Sequence, residues 1–169
     1  MSTTIESGIG GYGESFVRKD LPHVEKLSPR EIQIMEFKAM GMVNKEIAWR
    51  LGISQDTVKN TISFALYKSG STTFPTILAL INSGKISRER VSEGLDFEKG
   101  QDITGKEREI MEYISCSNGR DQTIGEMAHS LGIAQQTLKN YCANIYHKLD
   151  VPNLLRLRIF LALMPSGIQ

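Results

Sequence analysis

Residues Leu27–Gly70 read LSPREIQIMEFKAMGMVNKEIAWRLGISQDTVKNTISFALYKSG, and residues Ile103–Asp150 read ITGKEREIMEYISCSNGRDQTIGEMAHSLGIAQQTLKNYCANIYHKLD. The two stretches are one pattern written twice. Shared anchors are Glu31/Glu107, the Ile-Met-Glu-aromatic runs Ile34–Phe37 and Ile110–Tyr113, Leu51-Gly52-Ile53/Leu131-Gly132-Ile133, Thr57/Thr137 and Lys59-Asn60/Lys139-Asn140. The offset is 76 early and 80 late, so the second repeat carries four extra residues around Ser117–Gln122. A repeat of this length is a supersecondary unit used twice.

Local chemistry predicts four helices per repeat. Ser28-Pro29-Arg30-Glu31 is a capping box with proline at the first helical position, and Thr104–Glu107 is its counterpart. Ile34, Met35 and Phe37 give an apolar stripe at helical spacing, and Gly41 is placed to end that helix in a left-handed turn. A second helix starts near Asn44, or at the capping box Thr123–Glu126, and buries Ile47, Ala48 and Leu51. Gly52 permits a tight turn, with Ile53 beneath it. Ser54 caps a third helix over 55–68; Ala134 stands at the equivalent cap of 135–148 and has no hydroxyl to offer. Short apolar helices follow at 73–82 and 152–164. Two helices joined by a glycine turn, the second rich in Thr, Lys and Asn, make a helix-turn-helix.

The rest of the chain organises around the repeats. Residues 1–25, with Gly8, Gly10, Gly11 and Gly13, read as a flexible arm. Residues 26–82 form the first domain, 83–101 a polar linker with a short helix at Ser87–Glu93, and 102–169 the second domain. The linker's 19 residues extend to about 60 Å and do not force the repeats together. Residues 26–82 hold seven basic and four acidic side chains, whereas 102–164 hold seven of each, so the first repeat is the more cationic.

Composition narrows the function classes. The 169 residues carry 20 Lys+Arg and 19 Asp+Glu, a net charge of +1 that argues against a non-specific nucleic-acid coat. No run approaches the roughly 18 apolar residues of a membrane span, and the first residues lack a signal peptide's basic and apolar regions. Cys116 and Cys142 make no disulfide framework and fit a reducing cytoplasm. Together with His129 and His147 they match no zinc pattern, so no metal or cofactor is expected. Glu31, Glu36, Glu107 and Glu109 read as caps and solvated charges, and no nucleophile–base set points to an enzyme. Trp49 points away from Ile47, Ala48 and Leu51; Ile32 and Met40 occupy similar outward slots on the first helix. Three such groups suggest a docking surface for the other repeat, a second chain or RNA polymerase.

Both repeats resemble the LuxR/GerE-type DNA-binding domain. The residues that carry this are Leu27–Glu31, Asn44–Ala48, Leu51–Ser54 and Thr57-Val58-Lys59. The second repeat carries Glu107–Met111, Leu131–Ile133, Thr137–Lys139 and the tail Lys148–Asn153. The resemblance spans about 120 residues, and the fourth helix favours it over the sigma-factor region-four helix-turn-helix. It implies an all-α chain of two four-helix domains joined by a linker, and a bacterial, nucleoid-associated transcription regulator with double-stranded DNA as partner. With no room in these residues for a receiver or ligand-binding domain, neither a phosphoacceptor nor a small-molecule sensor is expected.

The family's base-contacting positions fall on Lys59, Asn60 and Ser63, and on Lys139, Asn140 and Ala143. Lysine suits guanine O6 and N7, and asparagine suits adenine. Thr57, Thr137, Lys45, Lys68 and Lys148 are the candidate phosphate contacts. Thr123-Ile124-Gly125 stands where the first repeat has Asn44-Lys45-Glu46, so the second lacks one of them. The resemblance implies pairing through the fourth helix. Either Ile77, Leu78 and Leu80 meet Leu157, Phe160 and Leu161 in an intramolecular pseudo-dimer, or each repeat pairs with its copy in a homodimer. A protein-interaction regulator, binding RNA polymerase or another transcription factor through the same fold, is the alternative function.

Overall fold

The computed structural model describes residues 21–117 and 122–165. The arm over 1–20 and most of the four-residue insertion lie outside them. Among the described residues the regular structure is entirely helical. The first repeat supplies α1 (Pro29–Ala39), α2 (Asn44–Leu51), α3 (Gln55–Ser69) and α4 (Thr73–Asn82). A short α5 (Arg88–Ser92) follows. The second repeat supplies α6 (Gly105–Cys116), α7 (Ile124–Leu131), α8 (Gln135–Leu149) and α9 (Leu154–Leu163).

The helix starts follow the local chemistry. Ser28 Oγ accepts from the Glu31 amide at 3.3 Å while Glu31 Oε2 accepts from the Ser28 amide at 2.7 Å. Thr104 and Glu107 repeat the box at 3.3 and 2.8 Å, and Thr123 and Glu126 repeat it on α7 at 3.2 and 2.7 Å. In each case two orphan amides of a helix start are satisfied at once. Ser54 Oγ accepts from the Thr57 amide at 3.0 Å, whereas Ala134 makes no side-chain cap. Gly52 and Gly132 hold the same left-handed turn, with φ of 64° and 65°, between the paired helices of each repeat.

Packing joins the repeats more tightly than a polar linker implies. Ile86 and Val91, 1 % and 0 % exposed, sit in the first repeat's core. Leu95 and Phe97 pack against the cores of both repeats, and the Phe97 ring lies 5.0 Å from that of Phe160. The near end of the arm is also tied in: the His23 amide donates to Ser69 O at 2.9 Å, and Val24 is buried.

Helix α9 explains the union. Its sequence, LLRLRIFLAL, is apolar on all sides, the mark of a helix covered all round. Leu157, Phe160 and Leu161 enter the second repeat's core, while Ile159 and Leu163, on the opposite side, enter the first repeat's core beside Ile77 and Leu80. The fourth helices therefore meet within the chain, with the first repeat's side of the contact as named from sequence and the second repeat's side different. Ile77 and Leu80 share their core with Ile159 and Leu163, and Leu157, Phe160 and Leu161 turn inward to their own repeat.

Arg156 locks this contact. Its guanidinium donates to Ala39 O at 2.7 Å, to Val91 O at 2.6 Å and to Glu93 O at 2.9 Å, which caps carbonyls of the first repeat and the connecting segment. Burial pulls its pKa down, yet an arginine keeps its charge there. Asn153 Nδ2 donates to Gly41 O at 3.3 Å. Gly41, at φ 92°, lies so close that a Cβ would stand 2.9 Å from Pro152 Cγ.

Candidate nucleic-acid interface

Helices α2 and α3 cross through the turn at Gly52, as α7 and α8 do through Gly132. Val58 and Ala65 anchor α3 beneath, and Leu138, Cys142 and Ile145 anchor α8. Burying that face turns the opposite one outward. Thr57, Lys59, Asn60 and Ser63 are all exposed, and so are Thr137, Lys139, Asn140 and Ala143. The six positions that the resemblance assigns to base contacts thus stand at the same register on two outward-facing helices. Lys45 is exposed at the start of α2.

The polar neighbours of these residues are local. Lys59 Nζ lies 3.9 Å from Asp56 Oδ1, an exposed pair one turn apart. Gln136 Nε2 donates to Asn140 Oδ1 at 3.1 Å. The Thr57 hydroxyl lies 2.8 Å from that of Ser54, so it helps close the cap of α3. Ala134 offers Thr137 no equivalent.

Two of the phosphate candidates are committed elsewhere. Lys68 Nζ donates to Glu31 Oε1 at 2.8 Å and to Oε2 at 3.1 Å. Lys148 Nζ donates to Glu107 Oε2 at 2.7 Å and to Asp102 O at 2.8 Å. Each lysine ties the end of a recognition helix to the capping carboxylate of its repeat's first helix. Glu31 and Glu107 are therefore buried ion-pair partners and not solvated charges. Burial works to raise both carboxyl pKa values. The lysine hydrogen bond, the backbone amide of the capping box and the lysine's charge outweigh it and hold both below the ordinary 4.5.

The proposed docking trio also needs correction. Ile32 packs half-buried against the first repeat's main core, and Met40 against the smaller cluster of Ile34, Phe37 and Ile47. The first helix is covered on more sides than its stripe implied, because α3, α4 and α9 all pack near it. Only Trp49 of the three stands out, 87 % exposed beside Met42, Lys45, Glu46 and Arg50. Sequence reasoning missed two further exposed aromatics, Phe64 and Tyr67 on α3. The helical row Asn60–Phe64–Tyr67 was the available signal. Among the described residues, no group of three or more His, Cys, Asp or Glu side chains is arranged to hold a metal ion.

The family model described as bacterial regulatory proteins, luxR family, matches residues 25–68 and 101–161. The chain belongs to the luxR family of bacterial regulatory proteins. No curated protein and no solved structure matches the chain. The split match falls on the two helix-turn-helix units, so this luxR-family chain carries two GerE-type modules. The family is one of DNA-binding transcription regulators, not of enzymes. Among the described residues no helix is long and apolar enough to cross a membrane.

Proposed function

We propose that the chain binds specific sequences of double-stranded DNA through both modules and regulates transcription from there, in the bacterial cytoplasm at the nucleoid. One observation carries this reading: the same Lys-Asn pair stands exposed at the same turn of α3 and α8. An α-helix fits the major groove, and residues near its N-terminus reach base edges. Lys59, Asn60 and Ser63 read one half-site, and Lys139, Asn140 and Ala143 the other. Thr57, Thr137, Lys45 and the recognition-helix amides hold phosphates. Lys68 and Lys148 instead fix the recognition helices from behind. The bodies doing this work are the modules at 26–82 and 102–169, paired inside one chain through α4 and α9.

Binding of the full chain to a duplex enriched from a random pool tests the reading. Lys59→Ala or Lys139→Ala should each weaken specific binding by about 1–3 kcal/mol. Affinity should fall steeply with salt, by about 0.9 log units per decade for each phosphate neutralised. A flat salt response, or two variants as tight and as selective as the parent, would rule the reading out.

Trp49 favours a second contact. A tryptophan 87 % exposed beside Met42, Lys45, Glu46 and Arg50 is a surface for RNA polymerase or another regulator. Trp49→Ala should leave DNA affinity unchanged and lower the regulatory output measured with purified polymerase. Unchanged output would remove this second role.

A further inference from the structure

The two recognition helices share a fold and a Lys-Asn pair, yet their outward rows diverge one turn later. On α3 the row continues from Asn60 to Phe64 and Tyr67; at the same register on α8, 80 residues on, it continues from Asn140 to Asn144 and His147. Phe64 is 63 % exposed and Tyr67 87 %, so neither aromatic is there to fill the core. Asn144 and His147 are exposed too, which makes the comparison one of like surface with like. No cation offsets the difference at this end, because Lys68 and Lys148 are both drawn back onto glutamates.

We propose that the modules read chemically different half-sites, and that Phe64 makes the first module select thymine by packing on its C5-methyl group. The inference rests on the DNA-binding reading above. Phe64 lies four residues beyond Asn60 on the same face, about 6 Å along the helix, which sets it against a base beyond the one that Asn60 reaches. In the major groove thymine is the one base that presents a methyl, and an apolar side chain is its natural partner. Asn144, at the same place on α8, pairs instead with hydrogen-bonding edges, adenine first among them. Tyr67, a further turn on, directs its hydroxyl to a phosphate at the groove edge and positions the ring row without reading sequence. A protein partner for the aromatics is disfavoured by their continuity with Asn60 on one helical face.

The test uses the full chain and the duplex it enriches from a random pool. Each thymine is replaced in turn by uracil, which removes only the methyl. One such replacement, in the half-site that depends on Lys59, should weaken the parent about fourfold, the worth of one buried methyl. Phe64→Asn should abolish that penalty while its Lys59-dependent binding persists, and Asn144→Phe should create a matching penalty in the other half-site. Tyr67→Phe should weaken thymine and uracil duplexes equally. Circular dichroism of these surface variants should match the parent. Uracil tolerated throughout by the parent, or a penalty that survives Phe64→Asn, would overturn the inference while leaving DNA binding in place. Failure to enrich any duplex would overturn the DNA-binding reading itself, and this inference with it.

Discussion

Helices α4 and α9 occupy the same place in their repeats and have different surroundings. Their inward positions correspond, Ile77 with Leu157, Leu80 with Phe160 and Ile81 with Leu161, and all are buried. On the remaining faces they part. Where α4 and its C-cap have Thr76, Ala79 and Ser83, α9 has Arg156, Ile159 and Leu163. Thr76 needs only the neighbouring Ser69 hydroxyl, at 2.9 Å, whereas Arg156 reaches three backbone carbonyls outside its own repeat. One helix of a repeat can serve two cores when its second face becomes apolar and a buried arginine on it, Arg156, meets carbonyls left open at a helix end.

The largest effects should come from the two faces of α9. Leu157→Ala and Ile159→Ala sit two residues apart and should each cost about 2–5 kcal/mol. Amide hydrogen exchange separates them: Leu157→Ala should loosen α6 and α8, and Ile159→Ala should loosen α1 and α4. If Ile159→Ala leaves α1 and α4 as protected as before, the second repeat's fourth helix is not part of the first repeat's core. Next comes Arg156→Met, which strands buried carbonyls and should cost about 3 kcal/mol in urea unfolding. Thr76→Val, at the matching place, should cost no more than about 1 kcal/mol.

The ion pairs behind the recognition helices make both repeats alike under acid. Glu31 and Glu107 have lowered pKa values in the folded chain. Their contribution is therefore fully present above about pH 4.5, the unfolded value, and is lost as pH falls through the lower folded values. Glu31→Gln and Glu107→Gln should each flatten the fall in stability below pH 4.5, most visibly in thermal melts taken from pH 5 to 3. A slope identical to the parent's would mean the lysine contacts add nothing in solution. The smallest difference lies at the caps. Ser54→Ala should destabilise by about 1 kcal/mol, and Ala134→Ser should stabilise by a similar amount.

What could be read in the sequence was what short-range chemistry fixes. Capping boxes, the glycine turns at Gly52 and Gly132, the missing cap at Ala134 and the outward place of Lys59 and Asn60 all depend on residues within one turn of each other. Lys68 and Lys148 resisted because their partners lie 37 and 41 residues away, and only the packed fold brings them together. Ile32 and Met40 resisted because a single stripe does not tell how many neighbours surround a helix. The linker was misjudged by its charge: Ile86, Val91, Leu95 and Phe97 are scattered among eight charged residues with no period to mark them. In α9 the apolar pattern was legible, but nothing local told which of its faces would meet the other repeat, because Ile159 and Leu163 find their core in the first repeat.

We propose that two cores joined through α9 present two unlike recognition helices to one duplex. Selection of bound DNA from a random pool by the full chain tests it most directly. The predicted product is a bipartite site whose halves differ in sequence and stand at one fixed spacing, with Lys59→Ala blurring one half and Lys139→Ala the other. Sites that are single, perfectly palindromic or variable in spacing would contradict it.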